Sequence, residues 1–281
     1  MRTDNHCHTS NFSFDGKMSG FELVEAAIEY GHDIITITDH YEMDYPHPQE
    51  KPVIFNLDEY FTAIAEWQEA AGDELVLQTG IELGYQPHLA DIYTELVQSM
   101  PFDCVIASCH LFRGVDPYYD KTCFTEFQNS PSGREAVYHA YINSLSDMIE
   151  SFAEFDILAH YDYLCRYVPY DDKKITYQSA PEAFDRLFRL LIQKNKSLEL
   201  NTRSIRNLYL AGCPDFMPDK EIYLRYKELG GKYVSLSSDS HDASTMGLYF
   251  KEAGYFLKNC GFEQLTIFRN REPQLIANVF V

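Results

Sequence analysis

Short apolar or β-branched runs alternate along this chain with longer stretches of helical period, and the alternation repeats about seven times. Strands are predicted near residues 2–6, 33–38, 75–81, 103–108, 156–159, 197–200 and 233–237. After the first strand, Ser19 and Glu22 stand in capping-box spacing. Phe21, Val24, Ala27 and Ile28 supply an apolar stripe and Gly31 a stop, which together predict a helix. Further helices are predicted over 58–71, 89–100, 133–152, 181–194, 219–229 and 243–253, and the tail shows no clear element. Residues 111–131 read as a long polar and aromatic loop. No Pro/Gly/Ser-rich linker interrupts the series, so one domain over 1–281 is expected. Its core would be a parallel sheet, doubly wound or closed into a barrel.

Composition narrows the function classes. With 23 Lys+Arg against 43 Asp+Glu the net charge is −20, which disfavours duplex nucleic acid and anionic membranes as partners. The longest basic run is Lys173-Lys174. No apolar stretch approaches the length of a membrane span, and the N-terminal residues lack the pattern of a signal peptide. Seven cysteines are scattered without a C-x-x-C pair, so a reducing, cytoplasmic setting is expected rather than a disulfide framework.

The histidines change the picture. Six of the ten fall at the C-terminal ends of predicted strands: His6 and His8, His40, His110, His160 and His241. In a (β/α) barrel those ends carry the chemistry. Glu82 closes the third strand and Asp239 precedes His241 by two residues. One such histidine is ordinarily a loop or core residue. An H-x-H pair in extended chain, however, puts both imidazoles on one face, with Cys7 facing away. So many imidazoles and carboxylates at one mouth would suffer repulsion and desolvation without cations. The mixed N/O donor set suits Zn, Mn or Fe, and its size implies two or three divalent ions. His32, His88 and His139 fall away from the mouth, whereas His47 lies in the loop after His40 and could reach it.

The ordered strings HCHTSNFSFDG (6–16), TDH (38–40), GIELG (80–84), SCH (108–110), AHYD (159–162) and SDSH (238–241) resemble the PHP (polymerase and histidinol phosphatase) metallohydrolases, in particular the histidinol-phosphate phosphatase type. The resemblance implies a distorted (β/α)7, TIM-like barrel with a trinuclear site. His6, His8, Glu82 and Asp239 would hold one ion, and Glu82 would bridge to a second held by His110 and His160. Asp15, His40 and His241 would hold the third, Asp15 lying in a loop rather than at a strand end. Enzymes of this type bring arginines to the phosphate. Arg166 and Arg206 are the candidates, with Arg203 as an alternative to Arg206.

The implied activity is hydrolysis of L-histidinol phosphate by in-line attack of a metal-bridging hydroxide, with Glu82, Asp239, Arg166 and Arg206 as catalytic residues. Another phosphoesterase of the family (a phosphodiesterase, nucleotide phosphatase or exonuclease) is the alternative, followed by a noncatalytic metal-binding module. The filled motifs disfavour the module and the missing basic track disfavours a DNA enzyme. A small phosphorylated substrate is the expected partner. With three divalent ions the mouth would carry about +6, locally reversing the sign of the whole chain.

Overall fold

The computed structural model describes residues 1–47, 49, 52–128, 130 and 132–280. Its first half runs β1 (Thr3–Cys7), α1 (Gly20–Glu29), β2 (Ile34–Ile37), β3 (His40–Tyr41), α2 (Leu57–Ala71), β4 (Val76–Gly84), α3 (Ala90–Ser99), β5 (Cys104–Ser108) and α4 (Gly133–Ser151). The second half runs β6 (Ile157–Leu158), α5 (Pro181–Gln193), β7 (Ser197–Asn201), α6 (Thr202–Leu210), α7 (Lys220–Glu228), β8 (Val234–Ser237), α8 (Phe250–Asn259), β9 (Gln264–Arg269) and β10 (Glu272–Ala277). Strands β1-β2-β4-β5-β6-β7-β8 pair in that order, all parallel, and the short β3 extends the β2 position alongside β4.

The ring closes without a regular ladder. Beyond β8, Ser240 bridges to Cys7, the His8 N–H donates to the Ser240 carbonyl at 2.9 Å, and the Asp239 N–H donates to the His6 carbonyl at 2.9 Å. The result is a nearly closed seven-stranded α/β barrel rather than a doubly wound sheet. Strands such as β2, whose four residues Ile34–Ile37 are all buried, are apolar because helices cover one face and the barrel interior the other. Ser19 forms the expected capping box with Glu22, and Asn56 and Asp219 cap α2 and α7.

Three expectations are corrected. The segment after β7 is α6, whose first turn begins at Thr202 because the Asn201 side chain accepts the Ser204 N–H. Arg203 and Arg206 therefore ride on a helix, not a loop. The helix expected over 243–253 is a single 3-10 turn at Ala243–Thr245, and α8 starts only at Phe250, after Tyr249 in the left-handed region (φ 64°). The tail forms the β9–β10 hairpin. It stoppers the N-terminal end of the barrel: Phe268 packs with Cys104, Ile106, Ile157 and Ala159, and Gln78 Nε2 donates to the Phe268 carbonyl at 2.7 Å. That leaves the opposite end free for a site. Among the described residues no helix is long and apolar enough to cross a membrane.

Candidate metal centre

Every residue expected to bind metal converges on that opposite end. Glu82, buried inside β4, is the hub. Its Oε2 lies 3.3 Å from His6 Nε2, 3.6 Å from His8 Nε2 and 2.7 Å from His40 Nδ1. Its Oε1 lies 3.4 Å from His110 Nε2 and 3.1 Å from His160 Nε2. The H-x-H alternation holds, with the rings of His6 and His8 4.9 Å apart and Cys7 buried in the core. Asp239 approaches His8 Nε2 and His241 Nδ1, both at 3.5 Å. Asp15 is the most exposed of the set, but it lies 3.0 Å from His241 Nε2 and 3.6 Å from His40 Nε2.

Two glycines of the GIELG string make room for this packing. A Cβ on Gly84 would overlap the Glu42 carboxylate, and one on Gly80 would press on Thr36, Thr38 and the Cys104 carbonyl.

The electrostatics call for cations. Burial pushes the Glu82 carboxyl up, yet the surrounding imidazoles of His40, His6 and His110 outweigh it and hold it well below the usual carboxylate range. Asp239 is likewise desolvated but held low by Arg203 and Arg166. His8 is driven well below the ordinary imidazole value by burial and by its neighbours His241 and His40, so it stays neutral, as a ligand must. His6 Nε2, His8 Nε2, Glu82 Oε2 and Asp15 Oδ1 are buried without a hydrogen-bond partner. His40 Nε2 faces His241 Nε2 at 3.2 Å, and His110 Nε2 faces His160 Nε2 at 3.3 Å. Two imidazole nitrogens so close share either one proton or one ion. Donor atoms within 4.8 Å of one another group as His8/His40/His241, His6/His8/Glu82, His40/Glu42/His110 and Glu82/His110/His160. These residues fit divalent metal.

Three further carboxylates support the imidazoles: Glu199 and Glu42, which no sequence motif marks, and Asp39, whose place beside His40 in the TDH string already suggests an orienting role. Glu199 Oε1 takes His6 Nδ1 at 2.9 Å, while its Oε2 accepts the His160 N–H at 2.6 Å. Glu42 Oε1 takes His110 Nδ1 at 2.6 Å. Asp39 works through Ser13, whose hydroxyl donates to Asp39 at 2.7 Å, stands 3.1 Å from His8 Nδ1 and accepts the His40 N–H at 3.0 Å. In His6, His8 and His110 the Nδ1 is thereby engaged and Nε2 is turned to the centre. One signal was available for Glu199: a lone acid between Leu198 and Leu200 in a buried strand.

Arg166 Nη2 donates to Asp239 Oδ2 at 3.1 Å. Arg203 Nη1 donates to Asp239 Oδ1 at 3.0 Å and lies 2.9 Å from His241 Nδ1. Arg206, one turn further along α6, lines the same cavity of about 280 Å3, as do Lys17 and several tyrosines. His32 packs edge-on against Phe250, and His88 and His139 are exposed. His47 accepts the N–H of Asp116, itself a cavity residue.

The PHP domain profile matches residues 4–203. A probable histidinol-phosphatase of Clostridium acetobutylicum is 32% identical over 263 residues, covering 94% of this chain and 95% of that protein. The histidinol-phosphatase of Lactococcus lactis subsp. lactis is 31% identical over 267 residues, covering 95% of this chain and 94% of that protein. The crystal structure of a Lactococcus lactis histidinol phosphate phosphatase, complexed with zinc, L-histidinol and phosphate, superposes with a TM-score of 0.84 at 29% identity, over 97% of this chain and 98% of that one. With the strand-end ligand pattern, the barrel and these likenesses in agreement, the chain belongs to the PHP domain family.

Proposed function

We propose that this chain is a metal-dependent phosphomonoesterase that hydrolyses L-histidinol phosphate to L-histidinol and phosphate. The observation that carries the reading is the buried Glu82 ringed by five imidazoles, beside two arginines that end in the same cavity. The names of the Clostridium and Lactococcus relatives, and the zinc, L-histidinol and phosphate held by the Lactococcus structure, support the choice of substrate.

His6, His8, Glu82 and Asp239 would hold one divalent ion, His110 and His160 with Glu82 a second, and Asp15, His40 and His241 a third. Zinc, manganese and iron all suit these donors. Such ions, when bound, lower the pKa of water and neutralise charge on a phosphoryl group. The remaining work belongs to the chain. Arg166 and Arg203 are already oriented by Asp239 and aim guanidinium forks at the space a phosphate dianion would fill. Arg203 is favoured over Arg206 for this contact because it alone of the two bonds Asp239 and His241, while Arg206 extends the basic lining further out. Asp239 stays ionised under two guanidinium groups, so it suits ligation better than proton donation. We read the chain as one domain working in a reducing cytoplasm, where its seven free thiols would be stable.

Protein loaded with Mn or Zn should release phosphate from L-histidinol phosphate far faster than from phenyl phosphate, and His160→Ala and Glu82→Gln should be nearly inactive. Equal turnover of the two esters would sink the substrate assignment. Full activity of Glu82→Gln would sink the metal assignment.

A further inference from the structure

The cavity is lined by two acidic residues that the metal cluster does not use, the partly exposed Asp242 and the buried Asp116. Asp116 lies in the aromatic segment after β5, is 4% exposed and lines the cavity. Among the described residues its carboxylate is bonded by neutral donors: the Tyr45 hydroxyl at 2.5 Å on Oδ2, and the Tyr163 hydroxyl and the Tyr118 N–H, both at 2.8 Å, on Oδ1. A carboxylate has about four acceptor positions, so Oδ2 keeps room for a further donor. A buried anion held by neutral groups is costly, and a cation arriving with a ligand would offset that cost.

Its position relative to the metal cluster matters as much as its charge. The Tyr163 hydroxyl bonds Asp116, while its ring lies 5.2 Å from the rings of both His110 and His160 and 5.4 Å from the Arg166 guanidinium. On a second path, the Tyr45 ring lies 5.8 Å from that of Phe14, which stacks on His40 at 5.4 Å. Asp116 thus stands one tyrosine away from the residues proposed to take the phosphate. Its aromatic surroundings favour a positive guest, because ring faces attract cations.

We propose that Asp116 is the specificity-determining residue for the alcohol end of the substrate, binding a protonated nitrogen on the tail while Arg166 and the ligand cluster take the phosphate. The inference rests on the phosphomonoesterase reading and sharpens it: the preferred class is phosphomonoesters of cationic amino alcohols, not phosphomonoesters at large. In L-histidinol phosphate that nitrogen is either the ammonium or the imidazolium, and the test separates the two.

Three esters of similar length serve as probes. L-Histidinol phosphate carries both nitrogens, L-phenylalaninol phosphate keeps only the ammonium, and 3-phenylpropyl phosphate has neither. Metal-loaded wild type should favour the cationic esters over 3-phenylpropyl phosphate by about 10- to 100-fold in kcat/KM, the size expected of one charge-assisted contact. Asp116→Asn, which keeps acceptor and donor atoms for the tyrosines, should collapse that preference mainly through KM and leave 3-phenylpropyl phosphate turnover nearly unchanged. Asp116→Glu should retain much of the preference. An Asn variant that slows all three esters equally would reveal a loop anchor and overturn the inference. So would an Asn variant that keeps the preference, or a wild type that shows none whether or not the variants fold. A wild type that prefers L-phenylalaninol phosphate to L-histidinol phosphate would sink the histidinol assignment and leave the Asp116 cation site standing.

Discussion

Glu199 shows how much of this site depends on residues that carry no motif. Flanked by Leu198 and Leu200, it points into the barrel, orients His6 through Nδ1 and accepts the His160 and Asn201 N–H groups. Burial raises its carboxyl, but His6 and His160 bring it below the ordinary value, so it is an anion that fixes imidazole geometry. The strand-end histidines, Glu82 and Asp239 were legible because each sits in a short string at a predicted strand end. Glu42, Glu199 and Asp116 were not, because their roles come from neighbours 68, 193 and 71 residues away, His110, His6 and Tyr45. Glu199→Gln should keep the packing yet free His6 to rotate, lowering metal affinity about 10- to 100-fold. Competition with a chelator of known affinity measures this, and unchanged affinity would mean that Glu199 only fills space.

Between elements, the same separation of local from distant causes decides what periodicity could reveal. Six of the seven barrel strands announced themselves as runs rich in apolar or β-branched residues, β1 (TDNHC) being polar, and α1 through its capping box. By contrast, α6 emerges from β7 without a loop, so its first residues read as a continuation of the strand end. The β9–β10 hairpin turns at Asn270 and Arg271, both at positive φ (49° and 67°), and only the asparagine is a recognisable turn former. Helix–helix contacts are also invisible to periodicity, and one of them gives a clean titration. Asp185 on α5 accepts from Arg225 on α7 at 2.8 and 2.6 Å and from the Tyr177 hydroxyl at 2.9 Å. These bonds, Arg225 foremost, hold its carboxyl down at about 2. A depressed folded-state value stabilises the fold above the unfolded-state value near 3.9, and the benefit fades as pH falls toward about 2. Asp185→Asn should therefore lower Tm by about 2–4 °C at neutral pH. The gap from wild type should begin to close only below about pH 4. Thermal melts across pH test this, and a constant gap down to pH 3 would assign the loss to packing instead.

Across the whole molecule, the two ends of the barrel are held by different forces. The N-terminal end is stoppered by Phe268 within an apolar cluster, and the Arg271 guanidinium is paired with Asp156 at 2.5 Å. The C-terminal end is lined by imidazoles and carboxylates from β1, β3 and β4 and from the segments after β5, β6 and β8. Several of their atoms lack a protein partner. Ions proposed to sit there would tie six segments of chain into one hoop. They would replace the ladder hydrogen bonds that β1 and β8 do not form regularly. A ligand bound only by the folded state stabilises it by about 4 kcal/mol when present at 1,000 times its Kd. Removing the ions with a chelator should then lower Tm and act unevenly. Hydrogen exchange should accelerate at the C-terminal ends of β1, β4 and β5 and over residues 111–128, 161–167 and 238–246, while β9 and β10 keep their protection. If protection falls evenly at both ends, the mouth is not the part that metal holds together. If chelation changes nothing, the imidazoles are packed well enough to hold the mouth alone, and the orphaned nitrogens of His6 and His8 would need another explanation.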